Sequence, residues 1–390
     1  MKVVEFEMER MQSTYENRVD FNLSESGVHP LRLGELVDDA SARDALLGEP
    51  LRYTQSNGTE PLRSLIAAQY DGATPDHVQM TNGGAEANFL AAWRLVEPGD
   101  EVVFMVPNYM QIWGLAQAFG ATVTTWPLGP SGKVASGTTG SEPRWGVDTD
   151  HLSRLVSART KLIVICNPNN PTGARIDTSD LDAISRIADR HGVWILSDEI
   201  YRGAERDGRE TPTMWGRAER VIVTSGLSKA YGLPGLRIGW AVGPPSLIAS
   251  LWSYHDYMTI APGALSDVLA RHALEPSRRS RILARTRGIL NENFPVIAAW
   301  LDAHNGSFSY TPPDAGAIVY VRYHHNVNST TLVTRLREEK RVLVVPGDHF
   351  GMDGYLRIGY GEETAYLRQG LERLHDLVLD LSSPSAVTRR

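Results

Sequence analysis

Two near-continuous apolar runs, "KLIVICNP" (residues 161–168) and "VWILSDE" (193–199), constrain the fold more than any other feature of this chain. Each is one strand long and stops abruptly at polar residues, as a strand covered on both faces does. Between them "TSDLDAISRIADRHG" (178–192) has the pattern of a capped amphipathic helix. Two buried strands joined through a helix lie parallel in one sheet, because a parallel pair needs a crossover of that length. The alternation begins near residue 60 and runs through "EPLRSLIAAQY", "VQMTNGG", "AEANFLAAWRLV", "EVVFMVP", "IWGLAQAFG" and "TVTTWPL". The expected fold is therefore α/β, with a mostly parallel sheet between helices. The Gly- and Ser-rich stretch "GPSGKVASGTTGSEPRWG" (129–146) breaks the alternation and reads as a surface loop.

Beyond about residue 280 the pattern changes to a long helix through "RILARTRGILNENFPVIAAWLDAH" and strands "AIVYVRY", "VLVVPG" and "YLRIGYG" separated by helices. A large domain over residues 46–284 is expected, with residues 1–45 and 285–390 forming an N-terminal segment and a smaller α/β domain. The tail "LSSPSAVTRR" is expected to fray.

Composition removes several function classes. A net charge of −7 without long single-sign runs argues against nucleic acid or an anionic membrane as the main partner. The single cysteine, Cys166, cannot form an intrachain disulfide, and the opening "MKVVEFEMER" alternates charge where a signal peptide needs an apolar core. A cytoplasmic protein is expected. No run approaches the roughly 18 apolar residues of a membrane span, and no metal-spaced cluster of His or Cys occurs, so no metal is expected.

In open α/β sheets ligands gather at the carboxyl ends of strands. At "TNGGAEANFL" a strand passes through Gly83 and Gly84 into a helix, whose free N–H groups suit a phosphate; a simple turn is the alternative. "ICNPNNPTG" and "LSDEIYRG" end the two buried strands. Asp198 there either pairs with a cation or hydrogen-bond donor or caps a helix, since an unpaired buried carboxylate is costly. In "SGLSKAYGLPGLRIGW" (225–240) Lys229 lies among residues too small to pair with its charge. A lysine desolvated in that way becomes an amine nucleophile able to condense with a carbonyl, whereas an ordinary one reaches for solvent.

Taken in order on one sheet, these residues resemble the aspartate-aminotransferase superfamily of fold-type I pyridoxal-phosphate enzymes, from "YTQSNGTEPLR" to "YLRIGYG". The resemblance implies pyridoxal 5'-phosphate as cofactor, held by Lys229 as an internal aldimine. It further implies that Asp198 pairs with the pyridine nitrogen, that Asn170 and Tyr201 hydrogen-bond the ring oxygen, and that Tyr109 stacks on the ring. Arg237 and the backbone N–H groups near Gly84 and Ala85 would hold the phosphate. Tyr53 would reach across from the other subunit of a homodimer. Arg357 would clamp the substrate carboxylate with its planar fork, beside Asn170. Gly226 stands where many relatives have a phosphate-binding serine, leaving that contact absent or to Ser228.

The fold supports several reactions, so the resemblance alone does not choose one. "NLSESGVHPLRLGEL" places Gly27 and His29 in a region that lines the substrate pocket of relatives. The stretch resembles the "SGVH" of capreomycidine synthases and of the oxygen-dependent arginine oxidases and hydroxylases of actinomycete antibiotic pathways. The second resemblance implies oxidation of L-arginine by dioxygen through a quinonoid, giving a dehydro- or hydroxy-2-oxo acid and ammonia, with Lys229 and His29 as catalytic residues. An ordinary aminotransferase and a capreomycidine-type cyclase are the alternatives. A non-catalytic effector-binding module of the same fold is disfavoured, because only about 30 residues precede the core. In "VEFEMERMQSTYEN", Glu5, Glu9, Gln12 and Glu16 fall on one helical stripe of acceptors beside an apolar stripe of Met8, Met11 and Tyr15. That helix either lies over the pocket, presenting Glu9 and Glu16 to a guanidinium, or is a solvated charged face. His29 likewise either serves the substrate or merely packs.

Overall fold

The computed structural model describes residues 2–131, 144–304 and 306–382. A helix, Glu7–Tyr15, leads into a short strand, β1 (Phe21–Asn22). The large sheet follows, built from β2 (Val78–Thr81), β3 (Glu101–Val106), β4 (Thr122–Ser131), β5 (Arg144–Val147), β6 (Thr160–Cys166), β7 (Trp194–Asp198), β8 (Val221–Gly226) and β9 (Gly239–Val242). Its order is β2-β9-β8-β7-β6-β3-β4-β5. The pairs from β8 through β4 are parallel, and the pairings of β9 and β5 are antiparallel.

The two diagnostic runs form β6 and β7, side by side and parallel. Their alternate residues go to opposite faces: Ile163, Ile165 and Ile195 join one core, and Leu162, Val164 and Leu196 join the other. A strand whose every side chain finds an apolar neighbour must be written as an unbroken apolar run. The connecting helix Thr178–His191 buries Leu181, Ile184, Ile187 and Ala188, and Gly192 ends it at φ 64°. That left-handed terminus is open to glycine at no steric cost.

The second sheet has the order β10-β11-β14-β13, all antiparallel: β10 (Phe308–Tyr310), β11 (Ile318–Tyr323), β13 (Val345–Pro346) and β14 (Tyr355–Gly359). A further strand, β12 (Val342–Leu343), pairs with β1 in parallel. Past β1 the chain runs against β14, where Gly359 N–H donates to Leu23 C=O at 2.7 Å. The N-terminal segment is thereby stitched to the smaller sheet. The long helix extends further than its sequence pattern, over Pro276–Asp302, and the expected division after residue 284 lies within it.

The loop expected at 129–146 has its two ends in β4 and β5 and otherwise lies outside the described residues, as does nearly all of the tail expected to fray. Among the described residues no helix is long and apolar enough to cross a membrane.

Candidate active site

The carboxyl ends of β6, β7 and β8 and the helix Gly84–Leu95 converge on one cavity of about 300 Å³. Asn170 comes from the turn after β6, Asp198 from the last position of β7, and Ser228 and Lys229 from the turn after β8. Arg237 reaches it from the turn before β9, and Arg357 from the middle of β14. Strand ends supply these groups because their backbones are fixed by the ladder while their tips stay uncovered.

Glycines set the cradle beside the helix. Gly83 holds φ 95°, and a Cβ there would overlap the Arg237 guanidinium. A Cβ on Gly239 would overlap the backbone of Gly83 and Gly84. Gly226 pairs with Gly239 across β8 and β9, and a Cβ on it would come within 2.8 Å of the Ile238 carbonyl. A serine there would force β8 or β9 to shift, which gives a physical reason for that departure from the usual pattern. Arg237 holds φ 50°, rare for a residue with a side chain, and its guanidinium folds back onto the glycine turn. The first turn of a helix, two uncovered N–H groups and an arginine together suit a dianion.

Asp198 accepts from Asn88 Nδ2 at 2.9 Å and from the Ile200 N–H at 3.1 Å. Of its two sequence readings the hydrogen-bonded one holds: among the described residues no helix begins after β7 for Asp198 to cap, and the carboxylate faces the cavity. Burial raises its pKa, and among the described residues no cation lies within ion-pair distance of it. A pocket-facing carboxylate in that state fits a cationic N–H. Arg357 is 1% exposed; its Nη1 donates to Asn170 Oδ1 at 2.9 Å and its Nη2 to the Ser24 carbonyl at 2.6 Å, and its Nε has no partner among the described residues. Burial lowers its pKa. A buried guanidinium with neutral partners is an anion receptor. Tyr201 donates to Ser26 Oγ at 2.9 Å, and Tyr109 donates to Glu9 Oε1 at 2.9 Å.

The helix Glu7–Tyr15 covers the cavity, contributing Met8, Glu9, Gln12 and Ser13, with Glu16 just beyond it. Its apolar side is anchored through Met8, 2% exposed, in a cluster with Tyr320, Val345 and Phe350. Burying that side chain contributes about 2 kcal/mol. Phe6 meets the Tyr109 ring edge-on at 5.0 Å. Burial first, then Glu25 and Glu9, raises the Glu16 pKa. Like charges have been brought together under this helix.

Several expectations change. His29 does not line the cavity: its N–H donates to the Gly361 carbonyl, its Nδ1 lies 3.0 Å from Arg285 Nη2, and its carbonyl accepts from Arg285. The chain at Gly27 and Val28 passes so close to Gly361 that the next side chain turns toward the long helix instead. His29 is a packing residue. Lys229 is not without a counter-charge, because Glu25 Oε2 lies 3.7 Å from its Nζ. Glu5 stays at the surface beside Arg10, and Gln12 acts as a donor, to Ser24. Gly27 does not line the cavity; a Cβ on it would stand 3.5 Å from Lys229 Cδ, so it gives room to the lysine stem. Tyr53 is 86% exposed and borders a separate groove with Arg52, Thr59 and Arg271.

Glu25 and Ser26 escaped the sequence reading although both lie in the "NLSESGVH" stretch. An acid between two serines, two positions after the core residue Leu23, was the available signal.

A model of the family described as "Aminotransferase class I and II" matches residues 37–374. Capreomycidine synthase of Streptomyces vinaceus is 33% identical over 359 residues, 91% of this chain and 89% of that protein. Among solved structures, a PLP-dependent aminotransferase from Streptococcus suis superposes with TM-score 0.89 at 31% identity, over 98% of this chain and all of the other. A PLP-dependent cyclase, OrfR, gives TM-score 0.83 at 25% identity, over 97% of this chain and 98% of the other.

Proposed function

The chain belongs to the class I and II aminotransferase family, and on that premise we propose that it is a cytoplasmic, homodimeric enzyme that oxidises L-arginine with pyridoxal 5'-phosphate and dioxygen. The cavity's own chemistry fits the cofactor: an anion cradle at Gly84, Ala85 and Arg237, and at Asp198 a carboxylate with no cation beside it among the described residues. When bound, the cofactor supplies an aldehyde for a primary amine and a ring that draws electron density from the amino acid's Cα.

Lys229 is the amine that would hold it, and its Nζ is the base placed to take a proton from the substrate's Cα. Asp198 would pair with the ring nitrogen and keep it protonated. Asn170 and Tyr201 would hydrogen-bond the ring oxygen, Tyr109 would wall the ring, and Arg237, Ser228 and the N–H groups of Gly84 and Ala85 would take the phosphate. Arg357, braced by Asn170, takes the substrate carboxylate. Tyr53, exposed in one chain, is assigned to the pocket of the second copy.

The observation that carries the substrate is the pair Glu9 and Glu16, set over the same cavity as Arg357. A receptor with a cation at one end and carboxylates at the other matches an amino acid with a cationic side chain, and a guanidinium best answers paired carboxylates. The covering helix excludes water from the reacting carbon. The expected products are a dehydro- or hydroxy-2-oxo acid with ammonia and reduced dioxygen.

Cyclisation of an arginine-derived amino acid is the second reading, favoured by the likeness to capreomycidine synthase and to the cyclase OrfR. An oxygen electrode with L-arginine and L-alanine separates them. Arginine-dependent oxygen uptake with ammonia release supports oxidation. Anaerobic transfer of the amino group to an added 2-oxo acid identifies a transaminase, and ring closure of a hydroxylated arginine without oxygen uptake identifies a cyclase.

A further inference from the structure

The acids at the cavity do not all face the same way. Glu25 comes from the extended segment after β1, and its Oε2 is 3.7 Å from Lys229 Nζ. The segment is held on both sides: a Cβ on Gly359 would overlap the Glu25 carbonyl, and one on Gly27 would touch the Lys229 stem. The carboxylate opens into the cavity. The Glu25 backbone is therefore fixed by packing, while its side chain, 43% exposed, reaches from that fixed point to the lysine.

We propose that Glu25 is a positioning residue that fixes the Nζ of Lys229 at the cavity floor and keeps positive charge on that nitrogen. This rests on Lys229 being the lysine that holds the cofactor. The titratable and charged groups facing Glu25 are Lys229, Arg357 from β14, Glu16 beyond the covering helix, and Glu362 beyond β14. Lys229 lowers the Glu25 pKa most, against its burial, and Arg357 and the Ser26 N–H help. Glu25 in turn raises Glu16 and Glu362. Glu25 is the acid that stays ionised, with the lysine as its partner, and Glu9 and Glu16 are left for the substrate's side chain. A carboxylate that close would favour the protonated form of a C=N link made by the Nζ.

The test is a spectrophotometric pH titration of the lysine-linked cofactor in the holoenzyme without substrate, comparing wild type, Glu25→Gln and Glu25→Asp. Losing a carboxylate at this range is expected to move the titration midpoint down by about one pH unit or more in Glu25→Gln. Glu25→Asp, with its charge drawn back by one methylene, is expected to titrate in between. An unchanged midpoint in Glu25→Gln overturns the proposal. Should that variant fail to hold cofactor, a wild-type midpoint in Glu25→Asp overturns it equally. Borohydride reduction and peptide mass analysis of the same wild-type sample locate the cofactor. A wild-type protein that carries nothing on Lys229 overturns the functional assignment as well, whereas a loaded lysine with an unmoved midpoint removes only the role of Glu25.

Discussion

Arg357 and Asn170 meet across the two sheets: Nη1 of the arginine, on β14, donates at 2.9 Å to Oδ1 of the asparagine, on the turn after β6. The contact fixes the fork of a buried guanidinium relative to the strand ends that carry Asp198 and Lys229. Lysine has neither the fork nor the reach to bond Asn170 and Ser24 together. Arg357→Lys is expected to weaken amino-acid binding by about 1.5–3 kcal/mol, the contribution of a hydrogen bond to a charged group. The KM for the amino acid should rise while cofactor absorbance is retained, and steady-state kinetics check it.

Removal of residues 1–16 takes away the covering helix with Glu9, Gln12 and Glu16 but leaves both sheets and Lys229 in place. The truncated protein is expected to bind cofactor as the full chain does, and to bind arginine at least tenfold more weakly, a loss of about 1.4 kcal/mol or more. Cofactor absorbance and a substrate titration read the two outcomes separately. An equal arginine affinity would make the helix a cover without a role in selection.

Gly226→Ser tests why this chain lacks the usual serine. The new Cβ would stand 2.8 Å from the Ile238 carbonyl, so β8 or β9 must shift, at a cost of about 1–3 kcal/mol. Lower thermal stability and weaker cofactor retention are expected, where a chain able to take the serine would gain a phosphate contact.

Asp207 lies between Arg175 and Arg209, with side-chain contacts of 2.8 and 2.9 Å. Burial alone would raise its carboxyl, but the two arginines hold it at about 2. A depressed carboxylate stabilises the fold above its unfolded pKa and loses that contribution as pH falls from about 4 to about 2. Its partial exposure reduces the effect to about 1 kcal/mol. Asp207→Asn should cost that much at neutral pH and flatten the acid limb of stability between pH 4 and 2, as acid titration of unfolding would show.

The strands were legible because burial on both faces of β6 and β7 leaves no freedom in composition. The residues at their ends were legible for a related reason, since Asn170, Asp198 and Lys229 interrupt apolar runs where the ladder stops. The N-terminal contribution was legible in part: one face of the helix Glu7–Tyr15 does meet the cavity, but Glu5 precedes the helix and stays at the surface, and Gln12 acts as a donor. His29 misled because its side chain's direction is set by a contact with Gly361, more than 300 positions away in the chain. Glu25 stayed hidden because its value lies in distance to Lys229, which no local pattern encodes.

The most direct measurement is a titration of the holoenzyme's cofactor absorbance with L-arginine and with L-citrulline, which keeps the shape of the side chain but not its charge. Wild type should respond to arginine at a concentration at least tenfold lower than to citrulline, and the gap should close in the Glu9→Gln, Glu16→Gln double variant. Equal responses to the two amino acids in wild type, or a gap that survives in the double variant, would contradict selection of a guanidinium by the helix over the cavity.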